Sequence, residues 1–257
     1  MPLKQRLIGT ALGRLAMRSR SALEYWRTSR EAIGTLANDQ LAEHLVTRLA
    51  ERAFADVGAH IGSIIAEVRR NCPGVRITAF EPIPEKAAQL RRKFPGVEIV
   101  QCALADYEGE TSFFINVAAS GYSSLARSSA ETREITVPVR RLDAIVKDAD
   151  VVKIDVEGAE LGVLRGSEGL QSRPVFMFES APNEVLGYTK ADLWGWFGAH
   201  RYGVFLPNRL AHTAPPMTLD MFIDSHQYPR HTTNYFGVPL EKVEAVRASA
   251  RRILGVH

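Results

Sequence analysis

Apolar and polar positions along the chain follow two rhythms that hand over to each other at definite points. In residues 21–52, Leu36, Leu41, Leu45, Val46 and Leu49 recur at three- and four-residue steps with no internal proline, which predicts a helix. Residues 53–58 then form an apolar run broken only by Asp56, the signature of a strand buried on both faces. From there strand and helix alternate: strand 53–58, helix 61–71, strand 76–81, helix 83–94, strand 97–103. Gly62, Pro73-Gly74 and Pro95-Gly96 punctuate the series where elements should end. Such alternation predicts a parallel, doubly wound α/β sheet.

The rhythm changes at Gly109. Residues 110–117 and 134–141 alternate apolar with polar, as half-buried strands do, and a serine-rich loop containing Tyr122, Ser123 and Ser124 joins them. A loop of that length is seldom idle in a compact domain. The parallel rhythm returns with strand 150–155, helix 159–170 and strand 174–179, then strands 202–206 and 235–238. A basic amphipathic helix, 240–254, closes the chain, with Leu240, Val243, Val246, Ala250 and Ile253 on its apolar face. The organisation expected is a helical segment, residues 1–52, followed by one domain, residues 53–257.

Composition narrows the class of partner. Hydrophobic residues are 46% and charged residues 24% of the 257, ordinary for a globular chain, and a formal net charge of +3 is too mild for a nucleic-acid partner. The two cysteines, Cys72 and Cys102, cannot build a disulfide framework and point to free thiols in a reducing, cytoplasmic setting. No apolar run is long enough to span a bilayer. Lys4, Arg6, Arg14, Arg18, Arg20, Arg27 and Arg30 face a single acid, Glu24, in a segment with leucines at helical spacing. Such a basic helix either lies on an anionic membrane surface or packs on its own domain or a second copy in a homo-oligomer.

The first strand runs into a glycine turn, Phe54-Ala-Asp-Val-Gly-Ala-His-Ile-Gly62, and the second, Ile77-Thr-Ala-Phe-Glu-Pro82, stops at a carboxylate. That succession makes a pocket for a nucleoside with a polar tail. In dinucleotide folds the second glycine of G-x-G-x-x-G lets backbone approach a pyrophosphate; here His60 holds that place. Gly58 and Gly62 remain, with Asp56 just upstream, so the site suits a cation better than a phosphate. S-adenosylmethionine carries an ammonium and a sulfonium. Glu81 would accept both ribose hydroxyls. Two other readings stand beside this one: a nicotinamide-dependent reductase, which His60 disfavours, and Asp56 and Glu81 as plain helix caps.

Several of these runs occur in one order. Phe54 to Gly62, Ala79-Phe-Glu-Pro82, Ala103-Leu-Ala-Asp106 with Gly109, Val137-Pro-Val139 with Leu142-Asp143, and Val152-Lys-Ile-Asp-Val-Glu-Gly-Ala-Glu160 together resemble the FkbM family of S-adenosylmethionine-dependent methyltransferases. The resemblance spans residues 53–182, with a weaker echo at Asn234-Tyr-Phe-Gly-Val-Pro239. His60 stands where the family more often has asparagine. The family implies a Rossmann-like seven-stranded sheet with one antiparallel strand, and methyl transfer to a hydroxyl, often on a sugar or natural product. On that reading Asp56, Gly58, His60, Gly62, Glu81, Pro82, Ala103, Leu104 and Asp155 hold the cofactor.

Methyl transfer to a hydroxyl needs alignment and a place for the proton. Asp155 and Glu157 end a central strand beside the crevice, where open sheets bind ligands, and would act as general base or hold a divalent cation. Glu179 closes the next strand and joins Tyr122, Ser123 and Ser124 as a candidate for gripping a small-molecule or glycan acceptor. Glu160 is read as a helix-terminal carboxylate. Trp194, Trp196 and Phe197 fit either a sugar platform or a buried helix face. A non-catalytic cofactor-binding adaptor is the alternative outside enzymes.

Overall fold

A computed structural model describes residues 30–116, 132–180, 187–227 and 233–256. The basic stretch before Arg30 and the loop residues Tyr122, Ser123 and Ser124 lie outside these. Helix α1 (Arg30–Leu49) leads into β1 (Ala53–Val57), α2 (Ser63–Asn71), β2 (Arg76–Phe80), α3 (Pro84–Lys93), β3 (Glu98–Val100) and β4 (Ala103–Leu104). A ribbon follows, β5 (Gly109–Asn116) and β6 (Thr132–Arg140), then α4 (Leu142–Ile145), β7 (Val151–Ile154), α5 (Glu160–Arg165) and β8 (Val175–Glu179). The chain ends with α6 (Lys190–Ala199), β9 (Tyr202–Phe205), α7 (Leu219–Ser225), β10 (Asn234–Pro239) and α8 (Val243–Leu254).

Seven strands form the main sheet in the order β3-β2-β1-β7-β8-β10-β9. All run parallel except β10, which pairs antiparallel with both β8 and β9. The predicted α/β class and its single reversed strand are both present. Continuous apolar runs make the inner strands because both faces are covered. On one face Leu45 and Val46 of α1, Ile65 and Val68 of α2, Leu90 of α3 and Ala250 of α8 pack on Phe54, Ile77, Val151 and Met177. On the other, Leu161 and Leu164 of α5, Trp196 and Phe197 of α6 and Phe222 of α7 pack on Val57, Val152, Phe176 and Phe178.

Two elements differ from expectation. The strand expected at 97–103 divides: β3 stays in the main sheet, while β4 leaves it to pair with β6 in a second sheet ordered β4-β6-β5. That departure carries Ala103 and Leu104 over the end of the main sheet. The helix expected at 159–170 stops at Arg165, and Gly166, which follows it, abuts Ala105: a Cβ there would lie 2.1 Å from the Ala105 carbonyl oxygen. No helix among the described residues is long and apolar enough to cross a membrane.

Candidate active site

The sheet changes winding direction between β1 and β7, and a crevice of about 750 Å³, counted out to its mouth, opens at their carboxyl ends. Gly58 turns the chain out of β1 with φ +81°, and a Cβ there would fall 1.9 Å from the carbonyl oxygen of Asp155. Only glycine fits that approach. His60 follows at φ 50°, a left-handed conformation that histidine and asparagine tolerate better than most residues. Gly62, also left-handed, starts α2.

Glu81 braces this turn from the neighbouring strand. Its Oε2 accepts the backbone N–H of His60 at 2.8 Å and its Oε1 that of Ile83 at 3.0 Å. The side chain lines the crevice although the residue is only 3% exposed. Burial holds its carboxyl above the ordinary glutamate value. Each oxygen keeps a lone pair for a further donor. Phe80, Ile83, Leu104 and Phe113 supply apolar walls, and Pro82 and Ala103 lie among them.

Beyond β7 the strand geometry stops, so alternation cannot carry Asp155 and Glu157 to one side. A left-handed Glu157, φ 53°, followed by Gly158, φ 96°, folds the chain back instead. One oxygen each of Asp155, Glu157 and Glu179 then lies within 4.8 Å of the others. The Asp155 side chain is 41% exposed, hence reachable from the crevice that it and Glu157 line. Burial would raise its carboxyl, but the Lys153 ammonium, 3.1 Å from its Oδ2, outweighs that and holds it below the usual aspartate range. Burial and the Asp155 charge push Glu179 the other way, up to about 10.

Not every residue read from the sequence reaches the crevice. Asp56 is 0% exposed and is not among the lining residues; it pairs in register with Lys153, whose Nζ is 3.5 Å from its Oδ1. The cation it meets in this structure is therefore internal, the Lys153 ammonium. Gly62 does not line the crevice either and packs against Phe94. Glu160 is buried, accepting the Gly158 N–H at 3.1 Å and the Tyr188 hydroxyl at 2.8 Å, so it shapes the loop behind Asp155. Trp196 and Phe197 belong to the core around Phe176, and the Trp194 indole donates to the Met217 carbonyl. Sequence reasoning missed Lys86 and Phe113, both lining residues. Phe113 was findable as an inward position of an alternating strand; Lys86 had no local signal.

A family model described as the methyltransferase FkbM domain matches residues 56–202, more than half of the chain. The chain belongs to the FkbM methyltransferase family. Its matched region runs from the end of β1 to the start of β9 and includes Gly58, Glu81, Asp155 and Glu179, while α1 and α8 of this FkbM protein fall outside. The domain is that of S-adenosylmethionine-dependent methyltransferases. The protein is similar to Methyltransferase 1 of Beauveria bassiana, 29% identical over 142 residues that cover 44% of this chain and 57% of that protein. It is also similar to Methyltransferase sdnD of Sordaria araneosa, 25% identical over 189 residues, 56% of this chain and 72% of that one. The chain thus spans little more than half the length of the Beauveria relative. Among solved structures, a putative methyltransferase from Thermobifida fusca aligns over 91% of each chain with a TM-score of 0.44 and 13% identity.

Proposed function

We propose that this protein is an O-methyltransferase that moves the methyl group of S-adenosylmethionine to a hydroxyl of a glycan, a glycosylated small molecule or another natural product. The observation that carries this reading is Asp155: a carboxylate open to the crevice, 3.1 Å from the Lys153 ammonium, with oxygens of Glu157 and of Glu179 at the end of the neighbouring strand within 4.8 Å. The lining residues fit the cofactor. Glu81 offers two carboxylate oxygens to a ribose, Phe80, Ile83, Leu104 and Phe113 offer apolar surface to a base, and the acids of the rim favour a cationic tail over a phosphate.

Held by Glu81 and the apolar wall of Phe80, Ile83, Leu104 and Phe113, the cofactor would supply an electrophilic sulfonium methyl for in-line displacement by the acceptor oxygen, with S-adenosylhomocysteine as the leaving group. The protein's part is alignment and proton removal. Gly58 allows the turn to lie against Asp155, and Asp155 takes the acceptor's hydroxyl proton as general base. Glu157 and Glu179 flank it and orient the acceptor. A divalent cation among these three acids is the second form of the mechanism, favoured by the 4.8 Å spacing of their oxygens.

Incubation with methyl-labelled S-adenosylmethionine and extract of the source cell, with and without chelator, tests the proposal. One product should gain a methyl mass with wild type and none with Asp155→Asn, while the variant still binds S-adenosylhomocysteine. Full activity in that variant would remove Asp155 from the mechanism. Cofactor binding with no labelled product from any extract would favour the adaptor.

A further inference from the structure

Lys153 stands in a strand that is otherwise valine and isoleucine, with its side chain 6% exposed. A lysine costs heavily there unless its charge is met on several sides. It is met on four. Nζ is 3.1 Å from Asp155 Oδ2 and 3.5 Å from Asp56 Oδ1, and it donates to the carbonyls of Gly58 at 3.0 Å and Val57 at 3.5 Å. Those partners are the end of β1, the glycine turn and the residue that follows β7. One ammonium therefore pins together the cofactor turn and the acid proposed to receive the acceptor's proton.

Asp56 completes the arrangement from beneath. Its oxygens are fully buried and accept no hydrogen bond, so Lys153 is the group that compensates its charge. On the crevice side lie the three acids whose oxygens approach within 4.8 Å, a spacing that in other proteins gathers a divalent cation. Here Asp155 already gives one oxygen to a fixed cation. A divalent ion on its other oxygen would sit close to that ammonium and be repelled by it.

We propose that the Lys153 ammonium is the resident cation of this acidic cluster, a positioning residue that aligns Asp155 with the acceptor, so that methyl transfer draws on no divalent ion. The inference rests on the methyltransferase reading and selects between its two forms.

Because Lys153→Met alone strands a buried Asp56 charge, the test uses full-length wild type, Lys153→Met and the double variant Asp56→Asn/Lys153→Met. Manganese binding is read by electron paramagnetic resonance, S-adenosylhomocysteine binding by calorimetry, and transfer from labelled cofactor in source extract. Wild type should hold no manganese at Asp155, and its transfer should survive chelation. The double variant should bind S-adenosylhomocysteine within a few-fold of wild type. It should lose about a hundredfold in kcat at little change in KM for the cofactor, as expected of misplaced catalytic groups. It should also gain manganese binding that a further Asp155→Asn removes. Transfer by wild type that stops on chelation and returns with manganese would overturn the proposal, whether or not the variants fold. So would wild-type kcat in a folded double variant. Absence of S-adenosylhomocysteine binding by wild type would instead strike the methyltransferase reading itself.

Discussion

Replacing Glu81 with glutamine alters a single group while keeping its shape. In the protein both carboxylate oxygens accept backbone N–H groups, from His60 at 2.8 Å and Ile83 at 3.0 Å, and the remaining lone pairs are what a ribose can use. A glutamine keeps one oxygen and turns its NH₂ toward one of those N–H donors, so a repulsive contact replaces a bond and one ribose acceptor is lost. A hydrogen bond to a charged group is worth about 1.5–3 kcal/mol, which corresponds to roughly a ten- to hundredfold loss of affinity. Alanine removes both acceptors and should cost more, with water free to satisfy the exposed N–H groups. Calorimetry with S-adenosylhomocysteine measures the loss, and thermal unfolding of the unliganded variants separates it from damage to the fold. The pH dependence follows with a definite sign. Burial raises the Glu81 pKa above the ordinary glutamate value, so affinity should fall on acidification at a higher pH than for an exposed glutamate. If Glu81→Gln bound within about twofold of wild type with an unchanged unfolding midpoint, the ribose role would be refuted, since the loss expected is at least about tenfold.

Three further outcomes test the frame around the site. Gly58→Ala places a Cβ 1.9 Å from the Asp155 carbonyl at φ +81°; left-handed strain of about 1–2 kcal/mol and overpacking of about 1–3 kcal/mol should lower stability by about 2–5 kcal/mol in urea unfolding. Tyr188→Phe removes the hydroxyl that donates to buried Glu160 at 2.8 Å and should cost about 1–3 kcal/mol in the same measurement; no change would mean that the loop behind Asp155 holds without it. Asp150 accepts the backbone N–H groups of Glu51, Arg52 and Ala53 and the Arg52 guanidinium. Against the opposing effect of burial, these hold its pKa below the ordinary aspartate value, so its contribution is full above that value and lost as pH falls through the lower folded one. Asp150→Asn should therefore be less stable at neutral pH, and its difference from wild type should shrink in acid, as unfolding curves across pH would reveal.

The sheet was legible because β1, β2, β7 and β8 are central strands whose two covered faces favour largely apolar runs, and because Gly58 and Glu81 mark carboxyl ends. Partnerships across the sheet were not. Asp56 looked like a crevice residue because its partner, Lys153, lies 97 positions away, and only the β1–β7 register brings the two together. Glu157 reached Asp155 by a left-handed turn, whereas alternation along a strand would have required β7 to continue past Ile154. Local pattern also gave no sign that residues 97–103 would serve two sheets, although that division is what brings Ala103 and Leu104 to the crevice wall.

A crystal structure of the protein with S-adenosylhomocysteine tests the central claim most directly. The ribose hydroxyls should lie within hydrogen-bond distance of both Glu81 oxygens, the base against Ile83, Leu104 and Phe113, and the sulfur on the Asp155 side of the glycine turn. A crevice left empty at saturating ligand, or a ligand bound away from Glu81 and Gly58, would contradict it.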